Sequence, residues 1–472
     1  MPIRNPSAQV WPAKSKTGYK PYRPRRTRGF EKKSRSKPIA ADSSSRARGS
    51  TSSPSSLLSA SNATPPPSQQ PVSIHFMSAP VDADLHDALD LEGTALRDVG
   101  DFFEALAPLS LLPCPPNSIY FDMPPKYFNT KTRRWSEYPD LSLAYPAGER
   151  ERLVSTFLDG IHEHCRNVLT ERSILLPDEY RWSPTRTSLV HSNGEEASLF
   201  GAVLVGSSSE VKWPNVLCDI QVVGSDELIS EAVQKLSTTA AYVFATQDDC
   251  IYHVGFAFAG DSFALVMHDR AGRVQCHTRH VHRHGILLVR LVLALTLAKN
   301  IRPGRDPAIL KRSDGSRLLC VNGVEYSIVE RLFQSSSIRG RGTVCWRCRK
   351  TGSEDDYVIK STWVNVRCEE SEMSLLKQAE GVDGIPTLID HEVVVDSKGG
   401  PRSTDLFRAP LRRSHRQEEL QGIDVFHLHR LVMQPFAIPL ARFSSKEELL
   451  CAIRDAVVAH LVMWMDRHGH AE

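Results

Sequence analysis

Between Ser335 and Lys360 the sequence reads SSSIRGRGTVCWRCRKTGSEDDYVIK. Gly340 and Gly342 alternate with arginines, and a β-prone run from Thr343 to Arg347 follows. A polar turn at Lys350–Asp356 leads to a second apolar run, Tyr357-Val358-Ile359, which delivers Lys360. Glycines let a tight turn present bare backbone N–H groups to an anion. A lysine at the end of a neighbouring strand adds a compact positive charge. The chemistry this spacing suits is the cradling of phosphate groups.

Three other clusters carry reactive side chains. Cys276 to His284 holds His280, His282 and His284, which would share one face of a strand. A structural zinc site wants four ligands at loop spacings, and Arg279 and Arg283 repel a cation, so a polar strand or loop is the preferred reading. Cys345-x-x-Cys348 lies on an expected strand, where positions three apart face opposite ways, which disfavours redox or zinc chemistry. Asp219-Ile220-Gln221 faintly resembles the acid-x-Lys strand of restriction-endonuclease-like nucleases, but Gln221 stands where the lysine would be. Asp269 and Arg290 read as structural.

The elements that must position these residues follow from periodicity. Arg152 to Glu171 and Leu228 to Phe244 have helical apolar spacing. Trp213 to Val223, Ile251–Ala257, Ser262–Met267 and Arg273–Cys276 read as strands, the last three joined by hairpin turns at Ala259-Gly260-Asp261 and Asp269-Arg270-Ala271-Gly272. Gly285 to Lys299 reads as a buried helix. Asn322-Gly323 marks a hairpin within Leu318 to Ile328. After Lys360 come an acidic helix (Arg367 to Glu380), a strand (Thr387 to Val395), a polar loop or insert (396–422) and a strand (Asp424 to Met433). A capping box at Ser444-Ser445-Lys446-Glu447 opens a last helix through Leu450, Ile453, Val457, Leu461 and Trp464. The expected fold class is α+β. The expected division is a disordered basic Ser/Pro-rich tail (1–72), a helical and proline-rich connector (73–116), an α/β domain (117–302) and a second lobe (303–472).

Charge is unevenly spread. Residues 1–50 hold fourteen Lys/Arg against two acids, a net +12, while the whole chain carries +3, which leaves −9 for the rest. The basic cluster Lys20 to Lys37 suits a nuclear-localisation or nucleic-acid contact segment, or a solvated tail with no partner. The ten cysteines are scattered through apolar runs, the usage of buried thiols in a reducing compartment. The longest apolar stretch, Gly285 to Ala298, is too short to span a membrane and contains Arg290. These features point to a cytoplasmic or nuclear protein with no membrane partner.

The order strand, glycine loop, strand, lysine strand, acidic helix, strand, strand, connector, helix resembles a protein-kinase small lobe with its hinge and first large-lobe helix. More closely, the chain resembles the fungal-type protein kinase family. The resemblance rests on Gly340–Thr343, Trp346, Tyr357-Val358-Ile359-Lys360, Ser361-x-Trp363, Arg367, Glu372-x-x-Leu375-Leu376, Gly384-Ile385-Pro386 and Arg454-Asp455-Ala456 with Ala459-His460. It extends upstream through Trp213, Gln247-Asp248 and Asp269-Arg270-x-Gly272, covering residues 115 onward. It implies ATP-dependent phosphorylation of Ser/Thr hydroxyls. Gly340, Gly342 and Val344 would border the nucleotide and Lys360 would contact its α/β-phosphates. Glu372, rather than Glu369 or Glu370, would hold Lys360. Met433 to Ala437, with Met433 and Pro435, would form the hinge against adenine.

Two departures shape the functional expectation. Cys345 stands at the third glycine position of the loop. The sequence contains no His-Arg-Asp and no Asp-Phe-Gly, so catalytic Asp and Mg²⁺ ligands are missing from it. The expectation is therefore a chain truncated before the catalytic loop, a pseudokinase or fragment that could hold ATP without Mg²⁺ and without phosphoryl transfer. The alternative is a non-catalytic scaffold. Its basic tail would meet nucleic acid, and a protein partner would cover the apolar stripe of the last helix.

Overall fold

The computed structural model describes residues 95–468 apart from 101, 177–179, 184–186, 191–195, 200–201, 206–212, 299–303, 313, 369, 397–398, 414–415 and 438–439. The basic tail, the nucleic-acid contact expected of residues 1–50 and the connector up to residue 94 lie outside the described residues. The described residues fall in one compact unit, and the class is α+β.

The first layer is built from strands β1 (Leu96–Val99), β2 (Tyr180–Ser183), β3 (Ala202–Val205), β4 (Val216–Val223), β5 (His253–Ala259), β6 (Ser262–Asp269) and β7 (Gly272–Cys276), with helices α1 (Glu149–Glu171), α2 (Ile229–Thr246) and α3 (Gly285–Val292). The strand order is β1-β7-β6-β5-β4-β3-β2. The β4–β5 and β1–β7 pairs are parallel and the others antiparallel. Alternation along the strands feeds two cores. Ile220, Val222, Phe256, Phe258, Phe263, Leu265 and Met267 face α1 and α3. Val223, Ala257, Ala259, Ala264 and Val266 face α2. Leu96–Val99, read from sequence as part of a helical stretch, is instead a strand, because its edge pairing with β7 supplies the backbone partners that four isolated residues lack.

The second layer comprises β8 (Ile309–Lys311), β9 (Arg317–Val321), β10 (Val324–Gln334), β11 (Val344–Lys350), β12 (Asp356–Asn365), helix α4 (Glu372–Gln378), β13 (Thr387–Val393), β14 (Phe426–Gln434) and helix α5 (Lys446–His468). Its sheet runs β8-β9-β10-β11-β12-β14-β13. The Asn322-Gly323 hairpin forms as expected, with both residues at positive φ (48° and 80°). The acidic helix is shorter than its apolar spacing suggested. Ser371 caps it, its Oγ accepting the Ser374 N–H at 3.2 Å, and this fixes the start at Glu372. The last helix is capped one residue later than read: the Glu448 N–H donates to Ser445 Oγ at 3.1 Å, and Glu448 reaches back to the Ser444 N–H at 2.7 Å.

The two layers share one core. Trp363 and Leu428 from the second sheet, with Phe407 and Leu411 from the segment between β13 and β14, join the apolar cluster of the first sheet. The polar composition of 396–422 concealed this contact, since only a few of its side chains point inward. Among the described residues no helix is long and apolar enough to cross a membrane.

Candidate functional site

Residues directly opposite each other in adjacent strands present their side chains to the same face. Cys345 on β11 pairs with Lys360 on β12, and Lys360 pairs with Leu431 on β14. Val358, two residues from Lys360, pairs with Arg347 and with Met433. One face of the second sheet therefore carries Cys345, Val358, Lys360, Leu431 and Met433.

Helix α4 brings Glu372 to this face. Lys360 Nζ donates to Glu372 Oε1 at 2.6 Å and to Oε2 at 2.8 Å. The two side chains are 19% and 29% exposed, so the pair is partly shielded from water. Glu372 is the first residue of α4, where the helix dipole favours a carboxylate. An ammonium has three donors and Glu372 takes two, which leaves capacity for an anion.

Val344 does not line the site. It is 5% exposed and packs with Trp346, Cys348, Ile359 and Val432 in the core on the opposite face. The period of two along a strand puts Cys345, not Val344, beside Lys360. Cys345 is thus a strand residue, not a member of the loop. Burial pushes its thiol up to about 11, against the opposing pull of Lys360, so it is protonated at neutral pH. Met433 shares the Lys360 face, and Pro435 follows the end of β14. Beside them the Arg347 guanidinium lies 4.6 Å over the Phe436 ring and pairs with Asp356 and Glu330.

The glycine loop between β10 and β11 is closed at its base by the Ser335 N–H on the Thr343 carbonyl at 2.8 Å. Gly340 and Gly342 both have positive φ, 96° and 44°. Arg341 between them pairs with Glu372 Oε2 at 2.7 Å, and its carbonyl accepts the Trp363 N–H at 2.8 Å. Glu372 therefore gathers two cations, one from the strand and one from the loop. The Gly340 N–H is itself used, donating to the Arg270 carbonyl at 2.8 Å.

The site rests on the first layer through a buried joint. Asp248, just past the end of α2, accepts two hydrogen bonds from Arg317 at 2.6 and 2.8 Å and one from Trp346 Nε1 at 2.7 Å. Burial raises its carboxyl, but the Arg317 bonds and charge, with Trp346, outweigh this and hold it below the usual range. Gln247 Nε2 donates to the Val216 carbonyl at 2.7 Å. Asp269 in the β6–β7 turn is clasped by Arg408 at 2.6 and 2.8 Å, both side chains buried. The motifs Trp213, Gln247-Asp248 and Asp269-Arg270 thus lie at or beside the contact between the layers.

A family profile described as fungal protein kinase matches residues 202–468. The chain belongs to the fungal protein kinase family. The match begins inside the first layer, at β3, and so includes the joint as well as the lysine site. No curated protein and no solved structure matches the chain. Protein kinases use ATP with Mg²⁺.

The remaining candidates are placed as follows. Only Arg279–His280 of the histidine run is strand, and the following residues turn. His282 Nδ1 accepts the Trp135 N–H at 3.0 Å, and His280 Nδ1 accepts the His282 N–H at 3.2 Å. Among the described residues no three His, Cys, Asp or Glu side chains are grouped to hold a metal ion. Asp219 is buried and bonds His253 Nε2 at 2.9 Å, within the sheet core. Arg290 bonds the Ala107 carbonyl through Nε at 3.0 Å and pairs with Glu104. Two residues that sequence reasoning did not assign to the site are Arg341 and Arg270. The first was legible as the residue between the glycines. The second sits 71 positions further upstream, in a turn marked by its hairpin composition and by the Asp269-Arg270-x-Gly272 resemblance, neither of which ties it to the loop.

Proposed function

We propose that residues 303–472 form the nucleotide-cradling lobe of a protein kinase, with Lys360 as the phosphate-contacting cation and Glu372 as the group that holds it. The observation that carries this is the Lys360–Glu372 pair at 2.6 and 2.8 Å, on the same sheet face as Met433. When bound, ATP supplies the transferable phosphoryl group. Lys360 aims a fixed charge at the α/β-phosphates, Gly340 and Gly342 keep the loop backbone close, and Cys345, Val358 and Met433 offer apolar surface to the base. A fluorescent ATP analogue titrated into the protein tests this. The wild type is expected to bind, and Lys360→Met to lose at least ~10-fold in affinity, the equivalent of about 1.4 kcal/mol. Equal affinity in the two proteins would sink the assignment.

The polypeptide of residues 1–472 contains neither His-Arg-Asp nor Asp-Phe-Gly. On this reading it holds nucleotide but supplies no group to orient a substrate hydroxyl and no Asp-Phe-Gly aspartate for Mg²⁺. Incubation with γ-labelled ATP and a generic Ser/Thr substrate is expected to give no transfer. Lys360-dependent labelling would overturn this part. A second reading, a protein-binding scaffold, draws on α5, where Leu450, Val457, Trp464 and Met465 are each more than half exposed.

A further inference from the structure

The β6–β7 turn of the first layer reaches into the glycine loop of the second. Arg270 at its tip is 2% exposed although it is the middle of a hairpin turn. Its Nη1 donates to the carbonyls of Ile338, at 3.2 Å, and Ser337. Its own carbonyl accepts the Gly340 N–H at 2.8 Å. Its guanidinium carbon lies 4.4 Å over the ring of Phe244, near the end of α2. The loop thus meets Arg270 at three points of its ascending limb, Ser337, Ile338 and Gly340, all through the loop's backbone atoms.

Gly342 shows how close the fit is. A Cβ built there would lie 2.2 Å from Arg270 Nε and 2.3 Å from Cζ, far inside contact distance. A Cβ at Gly340, by contrast, would meet nothing within 4 Å. Two things therefore favour glycine at 342: its positive φ of 44°, and the arginine from another layer that occupies its side-chain space. The turn is in turn immobilised from behind. Asp269 accepts the Ala271 N–H at 2.9 Å and two bonds from buried Arg408, which also donates to the Thr404 carbonyl. Arg408 comes from the segment between β13 and β14, so second-layer residues grip both sides of the turn.

We propose that Arg270 is a positioning residue for the phosphate groups of the bound nucleotide: it never touches them, but it fixes the glycine loop that does. On the opposite side the loop is tied to the site itself, through Arg341 on Glu372 and the Arg341 carbonyl on Trp363. The loop conformation is thereby set between the first layer and the Lys360–Glu372 pair. Nucleotide affinity becomes a property of both layers, and the first layer acts as part of the phosphate site. The inference rests on the ATP reading of the same site.

The test compares ADP with adenosine on the full chain, by calorimetry, for wild type, Arg270→Ala, Gly342→Ala and the double variant. Arg270→Ala is expected to weaken ADP by ~10-fold while adenosine affinity stays within ~2-fold, because only the phosphates meet the loop. A general folding defect would weaken both ligands alike and would overturn the proposal. Gly342→Ala is expected to weaken ADP similarly by driving Arg270 away. In the Arg270→Ala background the same substitution should add less, because the clash is gone and only the strain of a Cβ at positive φ remains. Additive losses would refute the steric link. Hydrogen exchange of amides 336–343 is read on the same proteins without ligand. Faster exchange in Arg270→Ala supports the clamp, and unchanged protection removes it. A wild type that binds neither ligand, with exchange that still responds to Arg270→Ala, would refute the nucleotide reading and the phosphate role of Arg270 while leaving the mechanical clamp established.

Discussion

Arg408→Met tests whether the two layers are welded by the Asp269–Arg408 pair. Both side chains are almost fully buried, at 1% and 3% exposure, and the contact is bidentate at 2.6 and 2.8 Å. Methionine keeps most of the aliphatic stem, so the loss is concentrated in the charge. What remains among the described residues is Asp269, buried, with the Ala271 backbone N–H as its hydrogen-bond partner. Breaking a buried pair from one side costs about 3–5 kcal/mol, because the remaining charge is uncompensated. The second variant, Asp269→Asn with Arg408→Met, removes that charge and keeps an acceptor for Ala271. It is expected to recover about half of the loss, since replacing both partners of a buried pair is far less costly than removing one. The assay is urea unfolding followed by tryptophan fluorescence, with Trp346 and Trp363 as buried reporters. With a slope of about 3 kcal/mol per molar, the single variant should shift the midpoint down by about 1–1.7 M and the double by roughly half that. A single variant within 0.2 M of wild type, or a double variant worse than the single, would refute the claim that this pair carries an uncompensated-charge penalty.

Further outcomes follow from the same contacts. Trp346→Phe keeps the ring in the second-layer core but removes the Nε1 donor to Asp248; a cost of about 1.5–3 kcal/mol is expected for a hydrogen bond to a buried charge, read as a drop in urea midpoint. His162 is buried against Thr296, and burial, with the Arg166 charge, pulls it from 6.5 to about 4. The folded state keeps it neutral while the unfolded chain protonates below pH 6.5, so this contribution is complete above pH 6.5 and is lost as pH falls towards 4. That is worth about 3 kcal/mol over the interval. Thermal melts at pH 7 and pH 4.5 should therefore diverge, and His162→Gln should show a shallower dependence. Ser445→Ala removes the Oγ that receives the Glu448 N–H, and about 1 kcal/mol of helix stability with it, read by circular dichroism on the full chain. Cys345→Trp places an indole beside Lys360 and is expected to abolish binding of the ATP analogue with little change in melting temperature. Retained binding would show that this face does not receive the base.

Local signals in the sequence were enough to place most elements. Asn322-Gly323 dictated a hairpin because both residues tolerate positive φ. Apolar spacing placed α1 and α2 within a few residues of their ends. The choice of Glu372 among its acidic neighbours came from the family resemblance, whose register Leu375-Leu376 sets, and its carboxylate meets Lys360. The hairpin and helix placements depend on residues close in sequence, whose geometry is fixed by turn conformation and helix period.

The tertiary structure decided what adjacent periodicities leave open. Val344 and Cys345 are both apolar and neighbours on one strand, and either could face Lys360. Trp346 and Cys348 bury on the Val344 side, and this turns Cys345 inward to the site. The partners of Asp248, Asp269 and Gly342 lie 69, 139 and 72 positions away in sequence. No local propensity encodes such pairs; they form because two sheets dock and expel water from the joint, leaving buried charges that must find each other. The sequence by itself determined a glycine loop, a lysine and an acidic helix in the right order. Only the packed fold decided that an arginine from the other layer fills the space beside Gly342, because that space exists only when the two layers meet.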